Sequence, residues 1–298
     1  MTRSRSVLYI FLLGSFVTAN AQKLPNIQNT SLRAPANIKI DGKATEWHNK
    51  FLAYNKATDV YYSMANDDDK LYLVVQATDP AIINKIIGGG ITLTIQKSGK
   101  KTDKDGISIT YPIFDKKSRP YVHSSQIVGN SILTVSGDDV TIMPRNSVDG
   151  ARAAKPADPK EFQGDSIMAI YNKRLENNSK YIGVTGIKGI DSLISVYNTS
   201  DVKTAELFDS KIVYTYELAV SLTQLGLSVS DGTKFAYHIT INGSSPFSIP
   251  NIAFTGNQTD APVKSVTPEG GGGGSQIAAL MGQSAPTDFW GEYTLVKK

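Results

Sequence analysis

The alternation of apolar and polar positions is sharpest between Ile38 and Pro80, IKIDGKATEWHNKFLAYNKATDVYYSMANDDDKLYLVVQATDP. In its second half Leu71, Leu73, Val75 and Ala77 fall on one face of an extended chain, and Tyr72, Val74, Gln76 and Thr78 on the other. That is the period-two signature of a half-buried strand. Val60 to Ala65 is a β-branched and aromatic run, and the Asp-rich Asn66 to Lys70 is a polar turn between the two. Strands joined this tightly are antiparallel neighbours. Similar runs follow in Ile91 to Gln96 and Ile107 to Phe114, in Tyr181 to Ile187 and Ile190 to Tyr197, in Ile212 to Val220, Phe235 to Asn242 and Phe289 to Val296. With Ile38 to Ile40 as an entry strand, they predict a mainly β chain: an antiparallel β-sandwich with Trp47, Leu71, Leu73, Val75, Leu218 and Val220 buried.

Helical spacing replaces alternation in Asp165 to Asn178, where Ile167, Ile170, Tyr171 and Leu175 share a face and predict a short amphipathic helix. Ala81 to Ile87 reads as a helical turn ending at Gly88 to Gly90, and Ser221 to Leu227 as another. The glycine triplet stands before a strand, whereas a phosphate loop needs glycines after a strand with a helix behind them; it reads as a mobile turn. Ser131 to Val135 and Val140 to Met143 predict a hairpin, and Arg145 to Lys160 a loop. Ser244 to Ser284 is loop-like and holds five consecutive glycines. The resulting organisation is a signal peptide over 1–21, a polar lead-in over 22–37, and one sandwich domain over 38–298 with a Gly-rich mobile loop at 268–287.

Two stretches carry a resemblance. IDGKATEW, a spacer and DDDKLYLVVQATDP, followed much later by YTYELAVSLTQLGL, resemble the family 9 carbohydrate-binding modules and their DOMON-like β-sandwich relatives, with Ser221 where that family usually has Pro. The resemblance implies the sandwich fold and a glycan ligand. Family 9 modules sandwich a terminal sugar between two Trp rings, whereas this chain has only Trp47 and Trp290, in positions that look structural: the entry motif and the apolar last strand.

Arg3 and Arg5, the apolar run Val7 to Val17, and Ala19-Asn20-Ala21 have the three parts of a secretory signal peptide, so cleavage after Ala21 and a secreted or periplasmic protein are expected. No stretch is long enough for a permanent membrane-spanning helix. With no Cys, the chain forms no disulfide, and stability must come from its core. The formal charge of +4 includes the two leader arginines, which leaves no electrostatic footprint for nucleic acid. Fourteen Tyr among many Thr, Ser and Asn fit a secreted β protein.

Catalytic chemistry finds little to use. His48, His123 and His238 are far apart in sequence, and no HExxH, G-x-S-x-G or paired metal-ligand spacing occurs. The S-x-x-K string from Ser98 to Lys101 lies in a charged turn and not at a helix start. The expectation is therefore a non-catalytic module with no required cofactor. Calcium would draw on the acids at strand ends, Asp41, Glu46 and Asp79, whose other reading is Asx-turn and capping bonds. For the sugar, Tyr61, Tyr111 and Tyr121 are the candidate stacking rings, core tyrosines being their bland alternative. Two alternatives stay open: a structural or protein-interaction sandwich of the bacterial envelope, and a haem-binding DOMON-like domain drawing an axial ligand from Met64, Met143, Met168 or Met281.

Overall fold

The computed structural model describes residues 23–114, 124–128, 131–136, 139–144, 164–230, 232–243 and 284–298, with backbone alone within 124–144 and over 164–167. The first half holds strands β1 (Ala53–Asn55), β2 (Val60–Asn66) and β3 (Lys70–Ala77), helix α1 (Pro80–Gly89), and strands β4 (Ile91–Gln96) and β5 (Ile107–Ile113). Then come β6 (Ser124–Val128), β7 (Ser131–Ser136), β8 (Asp139–Pro144), α2 (Gly164–Asn178), β9 (Tyr181–Thr185) and β10 (Leu193–Ser195). The chain ends with β11 (Val202–Phe208), β12 (Tyr214–Ser221), α3 (Leu222–Leu225), β13 (Lys234–Ile241) and β14 (Thr287–Thr294).

Two antiparallel sheets make a β-sandwich, one ordered β1-β2-β3-β12-β11 and the other β10-β9-β5-β4-β13-β14, while β6, β7 and β8 form a meander of their own. Alternation places Leu71, Leu73, Val75, Leu218 and Val220 in one hydrophobic cluster with Leu93, Ile109, Ile239 and Phe289 of the second sheet. Across this core the Tyr62 and Tyr237 hydroxyls meet at 3.0 Å, so these two buried phenols are polar partners for one another. Tyr237 needs room, and Gly291 directly opposite it on β14 provides it. A Cβ there would lie 2.2 Å from the Tyr237 ring.

The five-stranded sheet is covered on both faces, which the half-buried pattern of β3 does not foretell. Tyr72 and Val74 on its outer face pack with Ala44, Trp47, Ala65 and Ala219, under partly buried Leu32, Ile38, Ile40 and Phe51. Ile38 to Ile40 is therefore a covering loop and not a strand. Its apolar side chains pack, partly buried, against the sheet, while its backbone leads into a turn held by side-chain bonds. Two strands escape the sequence pattern. β1 has only three residues, and β11 carries Thr204 and Glu206 at positions where apolar residues were the expected signal.

The helical readings hold with altered bounds, whereas the reading of Gly88 to Gly90 as a mobile turn does not. Asp79 caps α1, its carboxylate accepting from Ala81 N and Ile82 N, and Pro80 opens the helix. Gly88 and Gly89 belong to the helix and Gly90 ends it, so the triplet is part of a packed element and not a loose turn. α3 starts on Ser221, whose hydroxyl accepts from Thr223 N. Arg145 to Lys160 and the glycine run lie outside the described residues.

Each open side of the sandwich is plugged. On one side the lead-in runs between β2 and β14: Gln28 bonds both backbone groups of Met64, at 2.7 and 2.8 Å, Leu32 O accepts from Asn66 N, and Tyr293 Oη donates to Leu32 O at 2.9 Å. On the other side α2 lies against β11, with Asn172 bonding both the N–H and the carbonyl of Phe208 and with Met168 and Leu175 buried. Each plug leaves a cleft beside it.

Candidate functional site

The residues of the entry motif form a structural knot. Glu217 on the outer face of β12 is buried; its Oε2 accepts from Asp41 N at 3.0 Å and Gly42 N at 2.9 Å, and its Oε1 accepts from Trp47 Nε1 at 3.1 Å. Burial pushes its carboxyl up to about 7, against the pull of these three donors. Gly42, at φ 79°, sits so close to β11 that a Cβ would meet the Glu206 carbonyl carbon at 2.7 Å. The pairing of I-D-G and Trp47 with Y-E-L-A is thus a device that fastens the covering loop to the sheet.

The calcium candidates are not gathered. Asp41 makes an Asx turn with Lys43 N, Glu46 accepts from Thr45 Oγ1, and Asp79 caps α1. Among the described residues no group of three or more His, Asp or Glu is arranged to hold a metal.

Of the proposed stacking rings, Tyr111 is a core residue, 3 % exposed, with its hydroxyl donating to Ser179 Oγ at 3.0 Å. A ring so enclosed offers no surface platform, which corrects that assignment. Tyr61 is half-buried between Tyr54 and Phe51, with centroids at 4.7 and 5.9 Å. Tyr121 lies outside the described residues. Of the proposed haem methionines, Met64 and Met168 are buried in the hydrophobic core, Met143 is described in backbone only, and Met281 lies outside the described residues.

Trp290 is the aromatic that the sequence reading misplaced. In β14 the inward residues are Phe289, Gly291 and Tyr293, followed by Leu295, so Trp290 projects from the opposite face and is only partly buried. Gly291 contributes no side chain to the inner row, and its absence made Trp290 look like the missing apolar anchor.

Its surroundings hold it rigid. His238 faces Trp290 across the β13–β14 ladder, and the two rings stack at 4.3 Å with 10° between planes. His238 Nδ1 lies 2.8 Å from Asp103 Oδ1 and Nε2 lies 3.0 Å from Asp288 Oδ1, so both edges of the imidazole are tied. Beside Trp290 opens a cleft of about 480 Å³, lined by Lys101, Lys234, Glu292, Thr294 and the lead-in residues Asn29 to Ser31. Lys234 Nζ bridges Glu292 Oε2 at 2.6 Å, and this contact holds the Glu292 carboxyl below its ordinary value.

An indole backed by a pinned imidazole, next to ammonium, carboxylate, amide and hydroxyl groups, can hold a ring with an apolar face and polar edges. None of His238, Lys101, Lys234 or Glu292 was singled out from sequence for binding. The available signal was the outward row of β13 and β14, in which His238 and Trp290 share one register position. The sequence matches no family model and no curated protein.

Proposed function

We propose that this chain is a secreted or periplasmic, non-catalytic glycan-binding module whose saccharide lies in the cleft beside Trp290. The observation that carries the reading is the placement of that ring: partly exposed, stacked on a pinned His238, and lining a polar cleft instead of the core. Sugar rings present C–H faces to an indole while their hydroxyls take hydrogen bonds at the edge, and Lys101, Lys234, Glu292 and Asn29 carry the matching donors and acceptors. The likeness to family 9 modules leads to the same ligand class, with one ring here where those modules use a pair. The leader read over 1–21 would carry the module to where glycans are found.

A single stacking shelf gives weak binding, on the order of −4 to −8 kcal/mol. Calorimetric titration with soluble plant, algal and bacterial-wall saccharides should give heat with at least one class. Trp290→Ala should then weaken that affinity by tenfold or more without lowering the melting temperature. Silence with every saccharide, or full affinity in the variant, would overturn the assignment.

A protein-interaction role is the second reading, favoured by one observation: Tyr181, Leu193 and Tyr197 expose 50 %, 50 % and 73 % of their surface around the β9–β10 edge. If that edge is a contact surface, Leu193→Glu should change the mass found by light scattering in solution while leaving saccharide binding intact.

A further inference from the structure

The second cleft, between α2 and β11, has a floor that the glycan reading does not use. It measures about 480 Å³, and Tyr111, Ser179, Thr204 and Glu206 line it inside a rim that includes Lys173 and Glu176. Glu206 points from edge strand β11 into the interior and is 8 % exposed. Its Oε2 accepts a hydrogen bond from the Tyr214 hydroxyl. Ser179 and Tyr111 lie close enough to pull the Glu206 carboxyl downward, yet Tyr111 Oη donates to Ser179 Oγ at 3.0 Å and Ser179 Oγ donates to Leu175 O at 2.6 Å, so neither hydroxyl closes a hydrogen bond on Oε1. Among the described residues the buried side-chain atoms without a hydrogen-bond partner are Glu206 Oε1, Thr204 Oγ1 and Tyr216 Oη. All three belong to β11 and β12, where Glu206 is paired directly with Tyr216.

A buried carboxylate without a cation is costly, and so are buried hydroxyls without partners. No ion pair to Glu206 occurs among the described residues. Asp41, Glu176 and Glu206 outweigh Lys173 and Lys180 in the lining, and Lys180 Nζ is turned to the Tyr197 hydroxyl at 2.9 Å. What the floor lacks is one positive donor and a hydroxyl beside it.

We propose that this cleft binds a small hydroxylated primary amine, its ammonium paired with Glu206 Oε1 and its hydroxyl bonded to Thr204 Oγ1. The site is separate from the Trp290 cleft and independent of what that cleft binds. Burial pushes the Glu206 carboxyl up to about 7, so the anionic form that pairs with an ammonium dominates only above that pH. The other titratable groups facing it are Tyr111 on β5 and Tyr214 and Tyr216 on β12, with Asp41, Lys173, Glu176 and Lys180 around the cleft. Burial raises all three phenols, which therefore stay neutral through the range tested.

The test is calorimetric titration of the whole protein with ethanolamine at about pH 8, with ethylene glycol as the neutral analogue. Ethanolamine should bind at least tenfold more tightly than ethylene glycol, and its affinity should fall about tenfold per pH unit below 7. Glu206→Gln should lose at least tenfold and Thr204→Val severalfold, while Trp290→Ala should change nothing. If Glu206→Gln fails to fold, Thr204→Val and the pH profile of the unaltered protein still decide, since Thr204 Oγ1 makes no hydrogen bond of good geometry whose loss would unfold the chain. Equal binding of ethylene glycol, a flat pH profile, full affinity in Thr204→Val, or no heat at millimolar ethanolamine would each overturn the proposal; the last would leave the floor filled by water only.

Discussion

Glu217 serves three donors with two oxygens, and that arithmetic makes it hard to replace. Glutamine has the same shape but one acceptor fewer, so either Trp47 Nε1 or the Asp41 and Gly42 N–H groups would face an amide N–H. Orphaned buried donors cost about 1–3 kcal/mol each, so at about pH 8, where the carboxyl is ionised, Glu217→Gln should lower unfolding stability by about 3 kcal/mol in urea melts. The same residue carries a pH signature. Burial lifts the Glu217 and Glu206 carboxyls from the ordinary 4.5 up to about 7 in the native state. Between those values the folded chain holds protons that the unfolded chain releases. Their contribution is therefore full below about 4.5 and lost as pH rises through about 7. The urea midpoint should decline across that window, and the decline should be shallower in Glu217→Gln. Carboxyls held low, such as Asp67 and Glu292, titrate below the window and do not mask it.

Strands whose inward row is wholly apolar were legible to within a residue or so, as in β2, β3, β4 and β13, because burial of alternate side chains leaves a period of two. β11 was invisible for the opposite reason: its inward Thr204 and Glu206 are polar, and they form the floor of a cleft. β14 was found, but its register was misjudged at Trp290 because Gly291 leaves a gap in the inward row. That gap is structural. Gly291→Ala would drive a methyl into the Tyr237 ring at 2.2 Å and separate the Tyr62–Tyr237 hydroxyl pair. Overpacking of this kind costs about 2 kcal/mol, which a shifted thermal midpoint would register. An unchanged midpoint would mean that the strand slides outward freely and that β14 is loosely held.

At the scale of the molecule, N- and C-terminal segments are stitched together. Asn66 Oδ1 accepts from Val296 N and from Tyr293 Oη, while Tyr293 Oη also reaches Leu32 O. Such contacts join residues more than two hundred positions apart, and no local pattern announces them. Removing Asp288 to Lys298 would take Phe289, Tyr293 and Leu295 from the core, about 5–9 kcal/mol of burial against a typical total of about 5–15. The truncated chain should lose its cooperative melt; an unchanged melting temperature would make the C-terminal strand an appendage. The central claim is that Trp290 is the ligand platform, and the chain has two indoles with contrasting surroundings, Trp47 buried under the covering loop and Trp290 beside the cleft. Intrinsic tryptophan fluorescence read during titration with a saccharide that gives calorimetric heat tests this most directly. The account predicts a saturable change in emission that tracks the heat and disappears in Trp290→Phe, with the Trp47 signal constant. Saccharide binding that leaves the emission of Trp290 unmoved would contradict it.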